Sequence, residues 1–214
     1  AKRVLDRVLG PDEKRVGVLL PPTAGGAIVN AALALSGRVA VNLNYTSTQP
    51  ILDICIERAG LVHVISSPLF LSRVNLDVGE KLLDAGSLKK LATTADKLVG
   101  FLQATVVPLP LLERLLGLHR LRPDDVLTVI FTSGSTGDPK GVVLSEENVC
   151  SNVRAIHQLL HLSPADVALG VLPFFHSYGY TTTLWTPLVL DPAVIYHADP
   201  RDAQVVGRLA REYH

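Results

Sequence analysis

Short apolar runs alternate with stretches of helical apolar spacing through the first 67 residues. Three apolar runs, at Arg15 to Leu20, Val39 to Leu43 and Leu61 to Ile65, are typical of buried strands. Two predicted helices lie between them, with apolar stripes at Ile28, Ala31, Ala32 and Leu35 and at Leu52, Cys55, Ile56 and Ala59. Gly37 and Gly60 stand where these helices are predicted to end. This alternation predicts an α/β fold with doubly wound, mostly parallel sheets and helices on both faces.

The same alternation returns after a less regular middle segment. Residues 68–123 combine lysine-bearing helical fragments with prolines and an apolar pair, Val106-Val107, that predicts a short strand. From residue 125 the pattern predicts a strand, a glycine-rich loop, a second strand and a helix capped by Ser145. A strand, an aromatic turn, an apolar helix through Trp185, another strand and a final helix follow. We predict two α/β subdomains, residues 1–123 and 124–214, with the glycine-rich loop in the second.

Composition and charge exclude some classes of function. The 214 residues carry 20 basic and 20 acidic side chains, so no general field attracts nucleic acid or an anionic membrane, and no nucleic-acid partner is predicted. No apolar run is long enough to span a bilayer, because the best candidate, Leu98 to Leu118, contains two prolines and two charged residues. Cys55 and Cys150 fall on apolar helix faces and are predicted to be core thiols, and no metal site is predicted.

The stretch V-I-F-T-S-G-S-T-G-D-P-K-G-V-V-L-S, residues 129–145, joins two predicted strands through a loop with little side-chain bulk. Its glycines permit backbone conformations in which several N–H groups point into one concavity and bind an anion. The hydroxyl groups of Thr132, Ser133, Ser135 and Thr136 add hydrogen-bond donors, and Lys140 adds a positive charge. An ordinary surface turn is the plain alternative, and in it Lys140 is a solvated side chain. The combination of strand exit, glycines, hydroxyls and lysine favours a phosphate-binding loop.

The Walker phosphate loop does not match this spacing. That motif needs a glycine directly before the lysine, a serine or threonine after it, and then a helix. Here Pro139 precedes Lys140, Gly141 follows it, and the next element is predicted to be a strand.

Four segments resemble a known superfamily. T-S-G-S-T-G-D-P-K-G, Thr132 to Gly141, resembles the phosphate-binding signature of the AMP-forming adenylating enzymes, and L-P-F-F-H-S-Y-G, Leu172 to Gly179, resembles the acyl-side motif of their acyl-activating branch. The stretches R-V-A-V-N-L-N-Y-T, Arg38 to Thr46, and A-D-K-L, Ala95 to Leu98, are most similar to the bacterial acyl-[acyl carrier protein] synthetase domain. That domain occurs fused to a 2-acylglycerophosphoethanolamine acyltransferase. The resemblance implies that this chain is part of the large N-terminal domain of such an enzyme.

The resemblance implies a two-step reaction. A fatty acid or another carboxylic acid reacts with ATP to give acyl-AMP, and the thiol of an acyl carrier protein or of coenzyme A then takes the acyl group. Magnesium is implied as the ion that bridges the phosphates. A cytoplasmic protein is implied, at the cytoplasmic face of the inner membrane if it belongs to a larger fused protein.

The same resemblance assigns roles to individual residues. The phosphate-binding set implied by the motif is Thr132, Ser133, Gly134, Ser135, Thr136, Gly137 and Lys140. Lys140 and His176 are implied as catalytic, and the acyl pocket is implied to involve Phe175, His176, Tyr178, Gly179 and Tyr180, with the Thr181 to Trp185 helix beside them. A hydrogen-bonded core histidine is the alternative for His176, and ordinary core packing is the alternative for Trp185 and the tyrosines.

Two further alternatives follow from the sequence. His161 and Asp166 have the H-x-x-x-x-D spacing of glycerolipid acyltransferases, but a helix end and a strand start explain both residues. The superfamily's Y-G-x-T-E-type motif, ribose aspartate and C-terminal domain are not found before His214. We therefore expect the segment to be a fragment of an AMP-forming ligase that is inactive by itself, the alternative being a non-catalytic phosphate- or nucleotide-binding module.

Overall fold

The computed structural model describes residues 1–133 and 138–213, and for Ser133 the backbone alone. Its central sheet has six strands in the order β4-β3-β1-β2-β5-β6. Their bounds are β1 Arg15–Val18, β2 Val39–Asn42, β3 Val64–Ser66, β4 Leu82–Asp84, β5 Val126–Ser133 and β6 Pro139–Ser145. The first five strands are parallel, and β6 returns antiparallel to β5. A second, two-stranded parallel sheet contains β7 Val167–Gly170 and β8 Ala193–Tyr196.

Helices cover both faces of the central sheet, as predicted. The helical segments are α1 Lys2–Val8, α2 Ala24–Leu35, α3 Gln49–Ala59, α4 Pro68–Val74, α5 Ala85–Lys90, α6 Thr94–Thr105, α7 Leu109–Leu116, α8 Glu146–Leu160, α9 Ser177–Gly179, α10 Thr186–Leu190 and α11 Ala203–Glu212. A π-helical stretch, Tyr180–Trp185, joins α9 to α10. On β2, Ala40 packs in the cluster with α1 and α2, whereas Val41 packs in the cluster with α3. This alternation is the two-faced burial of a doubly wound sheet.

Local signals fixed the helix ends. Gly37 and Gly60 adopt positive φ angles of 64° and 62° directly after α2 and α3, a conformation that glycine adopts without steric cost. Ser145 caps α8 in a reciprocal pair with Asn148, in which each side chain accepts a hydrogen bond from the other residue's backbone N–H.

The predicted helix α2 is confirmed, but its apolar stripe is buried only in part, at Ala32. Ile28 is 57% exposed and Leu35 is 38% exposed, whereas Asn30 is fully buried. Asn30 is buried because its side-chain amide exchanges two hydrogen bonds with the amide of Asn42 on β2, at 2.8 and 3.2 Å. A polar residue therefore marks the buried face of this helix, which the apolar spacing alone did not predict.

The middle segment also differs from the prediction. Val106 and Val107 connect α6 to α7 and form no strand, since their local sequence is followed by Pro108 at the start of the next helix. The strand that this region contributes is β4, which pairs with β3. Cys55 is buried in the core as predicted, and Cys150 on α8 is half-buried.

The central sheet crosses the predicted boundary at residue 124. β5 lies beyond that boundary and pairs with β2 in register Val41 to Val129. The division into two subdomains stays a prediction, and the shared sheet indicates that the two parts fold against each other. In the part of the chain that the structure describes, no helix is long and apolar enough to cross a bilayer.

Candidate active site

The predicted phosphate loop lies at the tip of the β5–β6 hairpin. Thr132 pairs with Lys140 and Ser133 with Pro139 at the last rungs of the ladder. Gly134, Ser135, Thr136 and Gly137 lie outside the described residues, as does the side chain of Ser133. The anion-binding conformation of the loop therefore stays a prediction, while the hairpin that presents it is part of the described structure.

The hairpin register places a hydroxyl and an ammonium group side by side. Directly opposed residues of an antiparallel pair project to the same face of a sheet. Thr132 and Lys140 are such a pair, and both are exposed. The Thr132 hydroxyl lies 3.5 Å from the Lys140 carbonyl oxygen, so the two residues meet at the rung next to the loop. This arrangement can bind an anion held above the hairpin.

Arg58, near the end of α3, fixes the exit of the loop. Its Nη1 donates a hydrogen bond to the Pro139 carbonyl at 2.6 Å, and its Nη2 pairs with the Asp138 carboxylate at 3.1 Å. Sequence reasoning missed this residue, because Arg58 is 80 positions from Asp138 and looks like an ordinary helix-terminal arginine. The guanidinium ties the loop to the helix below it.

Gly141 lets the hairpin pack closely on its own aromatic side chain. A Cβ at this position would lie 3.1 Å from Val129 Cγ1 and 3.4 Å from Phe131 Cε1. Beneath the hairpin tip is a cavity of about 200 Å³, whose lining includes Asn44, Ser47, Phe131, Thr132 and Pro139. The base of the loop is therefore closely packed at Gly141 and borders a small cavity at Thr132 and Pro139.

The aromatic turn at 173–180 lies at the same edge of the sheet. Phe174 is buried and would lie 3.2 Å from a Cβ built on Gly26, at the start of α2. Phe175 packs edge-to-face on Tyr45, just beyond β2, with ring centroids 4.9 Å apart. Burial, and to a lesser extent the charge of Asp199, raises the pKa of Tyr45 to about 12.

His176 is exposed, which excludes the alternative that it is a core histidine. Its backbone N–H donates to the Pro173 carbonyl at 3.2 Å, and its carbonyl accepts from the Tyr180 N–H at 2.7 Å. The turn therefore holds the backbone of His176 on both sides and leaves the imidazole free to meet a ligand.

The residues after His176 separate into an exposed part and a buried part. Tyr178 is 66% exposed, whereas Tyr180 is fully buried. Burial raises the pKa of Tyr180 to about 12, so its phenol is neutral at physiological pH. Neither the Tyr180 hydroxyl nor the Trp185 indole N–H has a hydrogen-bond partner among the described residues. The two rings meet edge-to-face at 6.1 Å.

An apolar cavity of about 650 Å³ opens beside Trp185. α2, α8 and α10 contribute most of its lining, including Ala31, Leu35, Val149 and Leu188. Ala31 and Leu35, from the predicted apolar stripe of α2, thus line this cavity. A mainly apolar cavity beside the unpartnered Trp185 indole N–H has the composition of a small-molecule pocket.

The hairpin tip and the aromatic turn both lie beside the loop that follows β2, at the carboxyl ends of the parallel strands. The chain passes from β1 to β2 through α2 on one face and returns from β2 to β3 through α3 on the other. The carboxyl ends of β1 and β2 therefore flank a topological switch point, the usual ligand-binding position of open α/β sheets. Tyr45 with Phe175 lies at this edge, and so does Thr132.

The H-x-x-x-x-D pair has a structural explanation, as expected. His161 ends α8 in a left-handed conformation with φ of 51°, and its N–H donates to His157. The Asp166 carboxylate accepts hydrogen bonds from the backbone N–H and the hydroxyl of Ser163. Both residues serve the connection between α8 and β7.

Sequence relatives of this chain are acid–thiol ligases. An acyl-CoA ligase of Ajellomyces capsulatus is 32% identical over 132 residues, which is 62% of this chain and 22% of that protein. A medium-chain-fatty-acid–[acyl-carrier-protein] ligase of Teredinibacter turnerae is 41% identical over 69 residues, which is 32% of this chain and 11% of that protein. The matched stretches thus span less than a quarter of either relative.

Solved structures show the same fold. O-succinylbenzoate coenzyme A synthetase of Bacillus subtilis in complex with AMP superposes with a TM-score of 0.75 at 20% identity, covering 98% of this chain and 50% of that one. ATP-bound MatB of Rhodopseudomonas palustris gives a TM-score of 0.72 at 22% identity, covering 98% and 40%. The chain thus spans half or less of each. The sequence profile of the family described as AMP-binding enzyme matches residues 5–214, and the chain belongs to this family.

Proposed function

We propose that this protein is an ATP-dependent ligase that joins a fatty acid, or another carboxylic acid, to a thiol through an acyl-AMP intermediate. The observation that carries the proposal is the meeting of two segments at one sheet edge. The β5–β6 hairpin presents Thr132 and Lys140 beside the predicted phosphate loop, and the turn containing His176 packs on the loop that follows β2. A nucleotide and a carboxylate bound at these two segments would be neighbours.

The hairpin supports a role in binding phosphates. Transfer of a nucleotidyl group needs positioning and charge neutralisation more than covalent help from the protein. We propose that Thr132, Ser133, Gly134, Ser135, Thr136 and Gly137 bind the β- and γ-phosphates and that Lys140 neutralises the charge of the pyrophosphate. Arg58 would hold the loop exit in position.

Magnesium stays a prediction. A solved relative is a complex with ATP and magnesium. Among the described residues no group of three carboxylate, imidazole or thiol side chains could hold a metal ion. These residues form no cage for Mg²⁺, an ion that proteins often bind mainly through substrate phosphates. We therefore assign no step to this ion.

The aromatic turn supports a role on the acyl side. We propose that His176 lies beside the reacting carboxylate and that Phe175, Tyr178, Gly179 and Tyr180 border the acyl chain. An apolar tail is favoured because the cavity beside Trp185 is lined mainly by aliphatic side chains.

The acceptor thiol and the parent protein stay open. Relatives include ligases named for coenzyme A and one named for an acyl carrier protein. The similarity to a synthetase fused to a phospholipid acyltransferase, and the location at the inner membrane that it implies, are predictions. We likewise keep as a prediction that residues 1–214 alone form no acyl-AMP and bind ATP with a Kd no better than roughly millimolar.

ATP–pyrophosphate exchange by the parent protein, measured with a panel of carboxylic acids, tests the proposal. Exchange that depends on one class of acid is expected, followed by thioester formation with either coenzyme A or a carrier protein. ATP binding without exchange for any acid would instead favour the non-catalytic nucleotide-binding module. If the protein showed neither ATP binding nor pyrophosphate exchange, both functions would be contradicted.

A further inference from the structure

Two asparagine amides are buried together between α2 and β2. Asn30 on α2 is fully buried, and Asn42 at the end of β2 is 3% exposed. The Asn42 amide donates to Asn30 Oδ1 at 2.8 Å, and the Asn30 amide donates to Asn42 Oδ1 at 3.2 Å. Apolar side chains usually join a helix to the sheet beneath it, because a buried polar group is stable only when it is hydrogen-bonded. A reciprocal amide pair at this place therefore needs an explanation.

The pair lies one helical turn from the segment that supports Phe174. The Asn30 amide also donates to the Gly26 carbonyl at 2.9 Å, four residues earlier in α2. A Cβ built on Gly26 would lie 3.2 Å from the Phe174 ring, so this ring rests on the first turn of the helix. Phe174 is buried and packs in one cluster with Ala27 of the same helical turn. The position of α2 therefore sets the position of Phe174.

The sheet side of the pair leads to the same aromatic ring. Asn42 lies opposite Ile130 in the register of β2 and β5. Ile130 belongs to the buried cluster that contains Phe174. His176 stands two residues after Phe174, and its N–H donates to the Pro173 carbonyl at 3.2 Å, so Phe174 lies inside the turn. The amide pair therefore supports the turn through both the helix and the sheet.

Directional hydrogen bonds hold the helix more strictly than apolar packing does. Each amide both donates to and accepts from its partner, which fixes the position of α2 along β2 as well as its distance from the strand. Hydrophobic contact is non-directional, and carbon atoms approach to about 3.5–4.0 Å, roughly 1 Å farther than the closer of these two hydrogen bonds. An apolar pair here would therefore let α2 move outward. A displacement of about 1 Å at a reacting group can lower a rate by about a hundredfold.

We propose that the Asn30–Asn42 pair positions the turn that carries His176, and with it the carboxylate of the acid. Both asparagines are positioning residues, since they are buried and act through Phe174. The effect on the carboxylate rests on the ligase function proposed above, whereas the effect on the turn does not. The exit of the phosphate loop is held separately, by Arg58 on α3. A displaced turn should therefore weaken the use of the acid and spare the use of ATP.

Leucine substitutions in the parent protein test the pair, because leucine has the branched shape of asparagine without its polar atoms. Asn30→Leu alone leaves the Asn42 amide buried without its partner, so the urea midpoint should fall. In the double variant Asn30→Leu/Asn42→Leu both polar groups are gone, and most of the midpoint should return. The KM for the acid in pyrophosphate exchange should nevertheless stay raised about tenfold in the double variant, with the KM for ATP within about twofold of wild type.

A second measurement does not depend on activity. In hydrogen exchange of the same parent proteins, the amides of residues 172–180 should lose about tenfold in protection in the double variant, while those of α3 keep theirs. Asn30→Ala, which removes the pair without adding bulk, repeats both tests and should give the same rise in the KM for the acid.

Leu33→Val is the matched control. Leu33 is fully buried on α2 and packs in the cluster with Val4 and Leu5 of α1. The lost methylene should lower the urea midpoint and leave both KM values and the protection of residues 172–180 unchanged.

Three results would overturn the proposal: wild-type protection of residues 172–180 in the double variant, a wild-type KM for the acid in that variant, or an equal rise of the two KM values. If the wild-type parent protein catalysed no exchange with any acid, the ligase function would fail. The protection of residues 172–180 would then still decide whether the pair positions the turn.

Discussion

Gly179 is the residue at which the aromatic turn and the following helix come closest. A Cβ there would lie 2.2 Å from the Pro173 carbonyl oxygen, although the backbone of Gly179 is ordinary right-handed helix. The motif predicted a glycine at the acyl side without giving its reason. The reason is close packing between the helix and the turn, which no property of the local sequence reveals.

We expect Gly179→Ala to destabilise the protein by about 1–3 kcal/mol, because the turn holding His176 must move to accommodate the methyl group. Gly100→Ala is the matched control. A Cβ at Gly100 meets no atom within 4 Å, and alanine in this helix should stabilise by about 0.5–1 kcal/mol. Urea unfolding measures both changes, and equal stability of the two variants would contradict the packing argument.

A substitution at Arg58 tests the contact at the loop exit that sequence reasoning did not find. Arg58→Ala removes the hydrogen bonds to Pro139 and Asp138, so the phosphate loop loses its attachment to α3. In the parent protein we expect the KM for ATP in pyrophosphate exchange to rise several-fold with little change in stability, since the Arg58 side chain is 46% exposed. Arg154→Ala breaks an exposed pair with Glu147 on α8 and should leave the KM unchanged.

Elements with complete local signals were predictable. β1, β2, α2, α3 and the β5–β6 hairpin have apolar runs or stripes bounded by glycines and caps, and the structure confirms each of them. Residues 68–123 were not predictable, because α6 and α7 carry apolar residues on the outward side and their inner positions include polar ones. Periodicity identifies an apolar face but does not say what it contacts.

The attachment of α6 depends on one carboxylate. The arginines Arg7 and Arg3 and hydrogen bonds from Thr93 hold the pKa of Asp96 well below its usual range. Because the pKa of Asp96 is lower in the folded protein than in the unfolded chain, its contribution to stability is complete above the unfolded pKa of about 4. That contribution is lost as the pH falls. The protection factors of the α6 amides, which correct for the intrinsic pH dependence of hydrogen exchange, should therefore fall in acid.

Asp96→Asn should accelerate exchange in α6 at neutral pH by roughly the same amount, because the amide cannot pair with two guanidinium groups. Asp6→Asn, which breaks an exposed pair with Lys2 within α1, serves as the control and should leave α6 unchanged. Similar exchange in wild type and Asp96→Asn would mean that α6 is held by other contacts.

For the whole molecule, the sheet arrangement determines where the site lies. The sequence predicted parallel strands and two functional motifs, but not that β5 would join β2 or that Phe175 would pack on Tyr45. These contacts join segments more than 80 residues apart in the chain, and only the folded sheet brings them together.

Three buried or half-buried tyrosines should make the stability of the whole fold depend on pH in alkali. Burial raises the pKa of Tyr180, Tyr196 and Tyr45 to about 12, above the unfolded value of about 10. The fold keeps protons that the unfolded chain releases, so stability falls as the pH rises from 10 to 12. In urea unfolding, the free energy of unfolding should fall less steeply between pH 10 and 12 for Tyr180→Phe than for the wild type. Equal slopes against pH would contradict the raised pKa of Tyr180.

The central claim is that the β5–β6 hairpin binds the phosphates of ATP for acyl adenylation. We would measure ATP–pyrophosphate exchange by the parent protein carrying Lys140→Ala, beside the wild-type parent protein and its Lys14→Ala variant. Lys14 is an exposed lysine that precedes β1, at the opposite end of the parallel strands. We expect Lys140→Ala to lose about a hundredfold or more of the exchange rate with its stability unchanged, while Lys14→Ala exchanges normally. Wild-type exchange by Lys140→Ala would contradict it.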